Sequence, residues 1–142
     1  MREQLRLSAE PATSREDKDR LREMLGLFNV GKTGYDTYHD LAIFLRDSES
    51  RIRGGVLGDA WGGWLHVEIL WIEEPLRGQG NGVRLMQAIE TEARALGCQA
   101  AHLDSFSFQA PAFYEKLGYT EFGRLDDYPR GHSQHFLWKR LA

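Results

Sequence analysis

The stretch Leu65–Leu96, LHVEILWIEEPLRGQGNGVRLMQAIETEARAL, decides the fold of this chain. Its apolar beginning, Leu65–Ile72, predicts a strand, and its last part predicts an amphipathic helix. The turn between them, Arg77–Gly82 (RGQGNG), has glycine at every second position, which leaves backbone N–H groups uncovered. Because such groups and the helix dipole favour phosphate at a helix N-terminus, the turn predicts a site for a phosphate-bearing cofactor.

The helix that follows the turn carries one apolar stripe at helical spacing. Its members are Leu85, Met86, Ile89, Ala93 and Leu96. We expect this stripe to be buried, and we expect Glu90 and Arg94 to pair on the solvent face because they are four residues apart. Gly97 is a typical helix C-cap. The next apolar segment, 100–106, should then form a strand parallel to the first, through a right-handed crossover.

The rest of the sequence predicts an alternation of short strands and helices. Leu5 and Leu7 alternate with polar residues, which indicates a short first strand. Ser14 with Asp17 resembles a capping box for a helix over roughly 15–29. Further strands are expected at 40–46, 51–58, 119–124 and 134–140, and a short helix at 112–117. The order β-α-β-β-β-α-β-α-β-β predicts an α/β (α+β) fold with a mixed, mostly antiparallel twisted sheet of about six to seven strands flanked by helices.

The bulk composition indicates one globular domain over residues 1–142. The net charge of −3 argues against a broad surface for nucleic acid or anionic membranes. Cys98 is the only cysteine in the sequence, so no intramolecular disulfide can form, which fits a reducing compartment. The first residues are charged, and no apolar run approaches the ~20 residues of a membrane span. We therefore expect a cytoplasmic protein.

The glycine turn does not match two common phosphate-binding motifs. No Gly-Lys-Ser/Thr follows it, which excludes a Walker A loop. Val83 stands where the dinucleotide fingerprint, counted from Gly78, requires glycine. Glycines can also be needed only because a turn between a strand and a helix is tight, so the turn by itself leaves a purely structural role open.

Two motifs at matching separation resemble those of the GNAT superfamily of acetyl-CoA-dependent N-acetyltransferases. The turn Arg77–Gly82 resembles the Arg/Gln-x-x-Gly-x-Gly/Ala loop of that family. The preceding Leu70-Trp71-Ile72 resembles its Leu-Ala-Val strand ending, and the segment 110–119, APAFYEKLGY, resembles its Ala-x-x-Phe-Tyr-x-Lys-x-Gly-Phe motif. With the order of elements, the resemblance extends over residues 40–140.

The resemblance implies a binding site for acetyl-CoA. The pyrophosphate of the cofactor would lie on the amides of Arg77, Gly78, Gln79, Gly80, Asn81 and Gly82. The pantetheine arm would pair with the backbone of Leu70 and Ile72, where the fourth and fifth predicted strands, at 65–72 and 100–106, splay apart. An N–H near Trp71 or Ile72 would polarise the thioester carbonyl. Ser107 stands where many members carry a cofactor-binding Asn and has a shorter reach.

The resemblance also implies the catalytic groups. Tyr114 corresponds to the family's tyrosine near the cofactor sulfur, where its phenol would protonate the departing thiolate; packing on a short helix is its alternative role. Glu68 is the first candidate for the base that deprotonates the amine, and His66 is the second. Two residues apart on a strand, they should share one face, together with Leu70 and Ile72. A polar residue at a sheet rim is the alternative for each.

The expected reaction is direct transfer of an acetyl group from acetyl-CoA to a primary amine of a small molecule or peptide. The alternative is an acyl-CoA sensor without efficient turnover, which would need the glycine turn but neither Glu68 nor Tyr114. The candidates for lining the acceptor pocket are Tyr35, Tyr38, Trp61, Trp64, Asp126, Asp127, His132 and His135. Asp126 and Asp127 would attract a cation, or would simply be solvated in a loop.

Other patterns in the sequence carry less weight. His132 and His135 lie outside any zinc motif, so no metal is expected. Asp104 and Ser105 are neighbours on a strand that face opposite sides, and no Gly-x-Ser-x-Gly elbow accompanies them, which argues against a hydrolase. The aromatic segment 136–138 would either complete the monomer core or contribute to a homodimer.

Overall fold

The computed structural model describes residues 2–142. Its α-helices are α1 (Arg15–Thr33), α2 (Asn81–Ala95) and α3 (Pro111–Lys116), and none of the helices in the described residues has the length and apolar character that a membrane span requires. Its strands are β1 (His39–Arg46), β2 (Ile52–Trp61), β3 (Trp64–Ile72), β4 (Ala100–Phe106), β5 (Thr120–Asp126) and β6 (Ser133–Arg140). By their contacts the residues form two units, one ending at Asp36 and one spanning Thr37–Ala142. One domain over residues 1–142 stays a prediction.

The N-terminal unit consists of a described segment without helix or strand, followed by α1. Ser14 caps the helix, since its hydroxyl accepts a hydrogen bond from the Asp17 N–H at 3.1 Å, as the capping box predicts. The helix continues beyond the predicted end at residue 29, and Gly34 ends it in a left-handed conformation. The prediction of a first strand at Leu5 and Leu7 is wrong: both are exposed, and no strand forms in the described residues before α1. A strand requires a hydrogen-bonded neighbour, and so short an alternation does not specify one.

The strands of the larger unit form one mixed sheet in the order β1-β2-β3-β4-β6-β5. β1, β2 and β3 form an antiparallel meander, as their short connections predict. β3 and β4 are parallel, with α2 between them in the chain. β6 pairs antiparallel with both β4 and β5, so β5 lies at the edge. The predicted mixed, mostly antiparallel sheet is confirmed with six strands.

α2 packs on one face of the sheet and forms the core with it. The largest fully buried apolar side chains of the core are Val56, Leu65, Met86, Ile89 and Leu137. The apolar stripe predicted for α2 is buried along most of its length. Its last member, Leu96, is exposed, because it lies beyond the helix as the C-cap.

Glu90 on α2 is buried, contrary to the expectation of a pair on the solvent face. Its carboxylate accepts hydrogen bonds from the Tyr119 hydroxyl at 2.9 Å and from the Lys139 ammonium at 2.8 Å. Arg94 lies 3.8 Å away, so the predicted pair exists, but its acidic end faces the interior. The side chain can be buried because the two partners satisfy its charge and its hydrogen-bonding capacity.

Candidate active site

β3 and β4 diverge partway along their length and form a fork. Their parallel pairing ends at Val67 and Leu103, although β3 runs on to Ile72 and β4 to Phe106. Backbone groups beyond this point are not paired across the fork, so an extended ligand can enter and bind as an additional strand does. The fork confirms the splaying of these two strands that the resemblance implied.

A β-bulge in β3 lies at the mouth of the fork. Leu57 of β2 pairs with Ile69, but the next residue, Gly58, pairs with Val67, so Glu68 has no residue opposite it. An extra residue of this kind bends the strand. It also shifts the alternation by one residue, so each side chain after the bulge lies on the opposite face from the one that a regular strand would give it.

The bulge changes the predicted orientation of the β3 side chains. Leu70 and Ile72 pack against the core on the α2 side. His66, which lies beside Asp59, is on the opposite face, here called the outer face. The expectation that Leu70 and Ile72 share a face with His66 is therefore wrong, because a regular alternation does not continue through Glu68. Glu68 itself is exposed at the bulge.

The glycine turn has the geometry of an anion-binding helix start. A short 3-10 helix, Glu74–Leu76, leads into the turn, and α2 begins at Asn81 with Gly80 as its N-cap. Gly78 and Gly80 have φ angles of 74° and 84°, in the left-handed region that favours glycine. In the described chain, no side chain caps α2 and no acidic residue lies in its first turn. The N–H groups at this helix start are therefore available to an anion.

Polar side chains hold the glycine turn in place. Arg77 donates a hydrogen bond from Nε to the Ile72 carbonyl at 2.7 Å, and the Asn81 amide donates to the Leu76 carbonyl at 3.0 Å. These bonds order the turn within the protein itself, which lowers the entropy that a ligand must remove on binding. The residues 77–82, predicted to bind the cofactor, thus lie in one preordered turn.

α3 brings Tyr114 next to the core, close to the turn. A β-carbon on Gly82 would stand 3.0 Å from the Phe113 ring, so glycine permits this approach of α3 to α2. Tyr114 is only 9 % exposed. Burial and the charge of Asp104 raise the pKa of Tyr114 to about 12, so its phenol stays protonated at neutral pH.

Ser107 ties the end of β4 to β6. Its hydroxyl accepts a hydrogen bond from the Ser133 N–H at 3.0 Å, and its own N–H donates to the Ser133 carbonyl at 2.7 Å. The Ser133 hydroxyl lies 2.8 Å from Nε2 of His135, whose other ring nitrogen contacts Glu121. The hydroxyl hydrogen of Ser107 can still be donated to a ligand, and its contact with a cofactor stays a prediction.

A row of directly paired residues crosses the entire sheet beside the fork. From β1 to β5 its members are Asp40, Asp59, His66, His102, Trp138 and Thr120. Oδ2 of Asp59 lies 3.4 Å from Nδ1 of His66, and the rings of His66 and His102 stack with centroids 4.7 Å apart. Burial and the neighbouring His66 lower the pKa of His102, which favours the neutral form of its ring. Within residues 2–142, no group of three or more His, Cys, Asp or Glu is arranged to hold a metal ion.

A pocket of roughly 410 Å³ opens on this part of the outer face. It is lined by Tyr38, Asp59, Trp61, Gly62, Trp64, His66 and His102. Tyr38, Trp61 and Trp64 are among the residues predicted to line an acceptor pocket, and the structure brings these three together. Burial, a hydrogen bond to Asp59 and nearby carboxylates raise the pKa of Tyr38 to about 12. Asp59 and His102 are not predicted as pocket residues, because only strand pairing brings them beside His66.

The other predicted acceptor residues of the larger unit are absent from this lining: Asp126, Asp127, His132 and His135. Asp126 pairs with Arg124 at 2.6 Å, and Asp127 accepts a hydrogen bond from the Gly131 N–H at 2.8 Å. The Asp127 carboxylate therefore supports the connection between β5 and β6, whereas Asp126 contacts a residue of its own strand. Tyr35 is exposed and belongs to the N-terminal unit.

Comparisons with known proteins agree with one another. The profile of the Acetyltransferase (GNAT) family matches residues 4–119. The chain is 35 % identical over 121 residues to acetyltransferase Atu2258 of Agrobacterium fabrum, covering 85 % of this chain and 88 % of that protein. It is 37 % identical over 101 residues to a blasticidin-S acetyltransferase of Streptomyces morookaense, covering 70 % of this chain and 74 % of that protein. An acetyltransferase crystal structure from Bacillus cereus has a TM-score of 0.82 and 35 % identity, covering 94 % of this chain and 97 % of that one.

Proposed function

The chain belongs to the Acetyltransferase (GNAT) family, and from that premise we propose that it transfers an acetyl group from acetyl-CoA to a primary amine. As a member of this family it is an acyltransferase. The single observation that carries the choice of cofactor is the preordered glycine turn beside the β3–β4 fork. The turn offers N–H groups to a pyrophosphate, and the fork offers strand edges to an extended pantetheine arm.

In this proposal the cofactor lies along β3 and the start of α2. Its pyrophosphate is bound by the amides of residues 77–82, and its pantetheine arm by the backbone of Leu70 and Ile72. An N–H of Trp71 or Ile72 stabilises the oxyanion that forms on the thioester carbonyl. Ser107 and Tyr114 contact the cofactor from the side of β4 and α3.

The chemical step is direct attack of the amine on the thioester carbon. The amine nitrogen forms the new C–N bond, the C–S bond breaks, and the sulfur leaves as a thiolate. Tyr114 gives its phenolic proton to that thiolate, and the amine gives up its proton to a base. The raised pKa of Tyr114, about 12, supports this role because the phenol is fully protonated at neutral pH.

Glu68 and His66 are the two candidates for the base. Glu68 stays the first candidate, since it is exposed at the bulge where the fork opens. His66 is the second, and Asp59 at 3.4 Å would stabilise its ring when it takes a proton. A water molecule can connect either residue to the amine.

We propose a small molecule as the acceptor, with a peptide amine as the alternative. The name of the Streptomyces relative makes blasticidin S the first compound to assay. The measurement is release of free CoA thiol in the presence of each amine. A protein that binds acetyl-CoA but releases no thiol with any amine would instead be an acyl-CoA sensor.

Thermal unfolding with matched concentrations of acetyl-CoA, CoA, ATP and NAD tests the cofactor. A ligand that binds only the folded state at about 100 times its Kd adds roughly 2.7 kcal/mol of stability. We expect Tm to rise with acetyl-CoA and CoA and to stay constant with ATP and NAD. No change with either CoA compound, or a rise with NAD, would refute the assignment of the glycine turn to acetyl-CoA.

A further inference from the structure

We propose that the pocket on the outer face binds a second cationic group of the acceptor, an ammonium or guanidinium separate from the amine that is acetylated. This pocket, called the aromatic pocket below, is lined by Tyr38, Asp59, Trp61, Gly62, Trp64, His66 and His102. The acceptor class is then a diamine or a related dication. The inference rests on the proposed function for the acetylated amine, but binding of the cation can be measured without turnover.

The aromatic pocket combines negative charge with the absence of a Lys or Arg in its lining. Asp59 lies in its wall, and Asp40 is directly opposite Asp59 on β1. Like charges on directly opposed strand residues destabilise the pair. A bound cation relieves that repulsion, whereas a neutral or anionic ligand does not.

The described residues supply no permanent cation to Asp59. Within residues 2–142, its ion-pair contact is with His66, which carries charge only when protonated. The Tyr38 phenol also hydrogen-bonds Asp59 and is neutral. The Arg140 guanidinium lies 5.5 Å from the centre of the Trp138 ring, on β6. Two strands, β3 and β4, lie between β6 and β2, the strand that carries Asp59. The Asp59 carboxylate is therefore available for a cation from outside the chain.

Aromatic rings supply the second contact that an organic cation requires. Trp61 ends β2 and Trp64 begins β3, and the two rings line the pocket from either side of the turn between these strands. The Trp64 ring is held edge-on to His102 at 5.8 Å and lies 6.1 Å from the Trp138 ring. A cation over the face of Trp is attracted by the ring quadrupole, and a carboxylate beside it adds charge pairing. This combination selects an organic cation over a strongly hydrated metal ion.

The aromatic pocket lies close enough to the fork for one acceptor molecule to reach both. Asp59 pairs with His66, and Glu68 follows His66 by two residues on β3. At about 3.3 Å per strand residue, the carboxylate lies roughly 7–10 Å from the mouth of the fork. A flexible aliphatic diamine spans this distance, so one end can be held at Asp59 while the other end lies beside Glu68 at the mouth of the fork.

Hexamethylenediamine is the binding probe, 1,6-hexanediol is its uncharged control of equal chain length, and hexylamine is the monoamine control for turnover. Proton–nitrogen correlation spectra of the histidine rings report binding to the protein without CoA. We expect the diamine to shift the signals of His66 and His102 and to bind about tenfold more tightly than the uncharged diol. Equal affinity for the diamine and the diol, or shifts confined to other histidines, would overturn the proposal.

Two substitutions test the contacts separately. Asp59→Asn is expected to weaken diamine binding about tenfold, and Trp61→Leu about threefold or more. Asp126→Asn, which removes a carboxylate outside the aromatic pocket, should leave the affinity unchanged. Circular dichroism establishes that each variant is folded, and Trp61→Leu keeps the test valid if Asp59→Asn fails to fold. Unchanged binding in the folded pocket variants would refute the site.

Activity distinguishes this proposal from the proposed function. Acetyl-CoA binding and thiol release with hexylamine depend on the fork and the glycine turn. A lower KM for hexamethylenediamine than for hexylamine depends on the aromatic pocket as well. Turnover of both amines with equal KM would refute the pocket alone, and diamine binding without any acetyl-CoA binding would refute the acetyl-CoA assignment alone.

Discussion

A β-carbon added to Gly58 would stand 2.5 Å from the carbonyl oxygen of His66. The two backbones come this close where β2 passes the bulge: Gly58 pairs with Val67, and the unpaired Glu68 follows. Real side chains do not tolerate such a contact with a backbone atom. Glycine is therefore required at the point where the sheet bends and the fork opens.

We expect Gly58→Ala to lower the free energy of unfolding by about 1–3 kcal/mol, because the methyl group must displace the β3 backbone and also crowds the Ile89 side chain. Urea unfolding followed by circular dichroism measures this change. Gly123→Ala is the control, since its β-carbon would lie at an ordinary 3.7 Å from Phe136, and we expect a change below about 0.5 kcal/mol. Equal losses in both variants would contradict the role given to the close approach.

Removing the buried negative charge of Glu90 on α2 should lower the stability of the protein. Glu90 is 4 % exposed and is bound by Lys139 and Tyr119. Glu90→Gln leaves the Lys139 ammonium without its counter-ion, so we expect a loss of about 3 kcal/mol in the free energy of unfolding. Glu92→Gln, at an exposed position of the same helix, should change it by less than about 0.5 kcal/mol. A comparable effect of the two substitutions would show that the interior network contributes little.

Tyr114→Phe removes the proposed proton donor and keeps the packed ring. We expect turnover to fall roughly 10²-fold, while the rise in Tm caused by CoA stays the same, because the phenol acts on the leaving thiolate. Thiol-release kinetics and thermal unfolding provide the two measurements. Unchanged turnover would remove Tyr114 from the acid role, and loss of the CoA-dependent Tm rise would indicate a binding role instead.

The two candidate bases can be separated by substitution. If Glu68 accepts the proton, Glu68→Gln should lower turnover roughly 10²-fold at neutral pH, and His66→Asn should lower it much less. The reverse order would assign the base to His66, with Asp59 as its partner. Because neither side chain lies in the glycine turn, both variants should keep the Tm rise with CoA, which serves as the control for folding and cofactor binding.

Alkaline pH should destabilise the protein through its buried phenols. Burial and Asp104 raise the pKa of Tyr114 from 10.0 to about 12, so the folded state keeps a proton that the unfolded state has lost. The stability linked to this group is fully present below about pH 10 and falls as the pH rises from about 10 to 12. In Tm measurements across this interval, Tyr114→Phe should lose stability less steeply than the unsubstituted protein. Parallel curves would contradict the raised pKa.

Short-range signals predicted most elements of the larger unit. Pro111 marks the start of α3, and the glycines of the turn mark the start of α2, because the conformational limits of proline and glycine act on the residues next to them. The same kind of signal at Ser14 located the start of α1. Where a local pattern lacks a partner, as at Leu5 and Leu7, the prediction of a strand is wrong.

Long-range contacts decided the features that local patterns missed. Glu90 has the helical spacing of a surface residue, yet Tyr119 and Lys139 bind it in the interior. The bulge at Glu68 follows from the pairing of β3 with β2, and nothing in the alternation of β3 itself indicates it. Both cases depend on residues that are distant in sequence.

The sequence by itself determined the strand, glycine turn and helix at residues 65–96, since these depend on the conformational preferences of neighbouring residues. The turn predicted a phosphate-bearing cofactor, and the resemblance to the GNAT family implied that this cofactor is acetyl-CoA. Only the tertiary structure decided which side chains share the outer face. Asp59, His66 and His102 meet because strand register brings them into one row, and the bulge then moves Leu70 and Ile72 to the other side. Register is set by the pairing of whole strands, so no short segment of the sequence contains it.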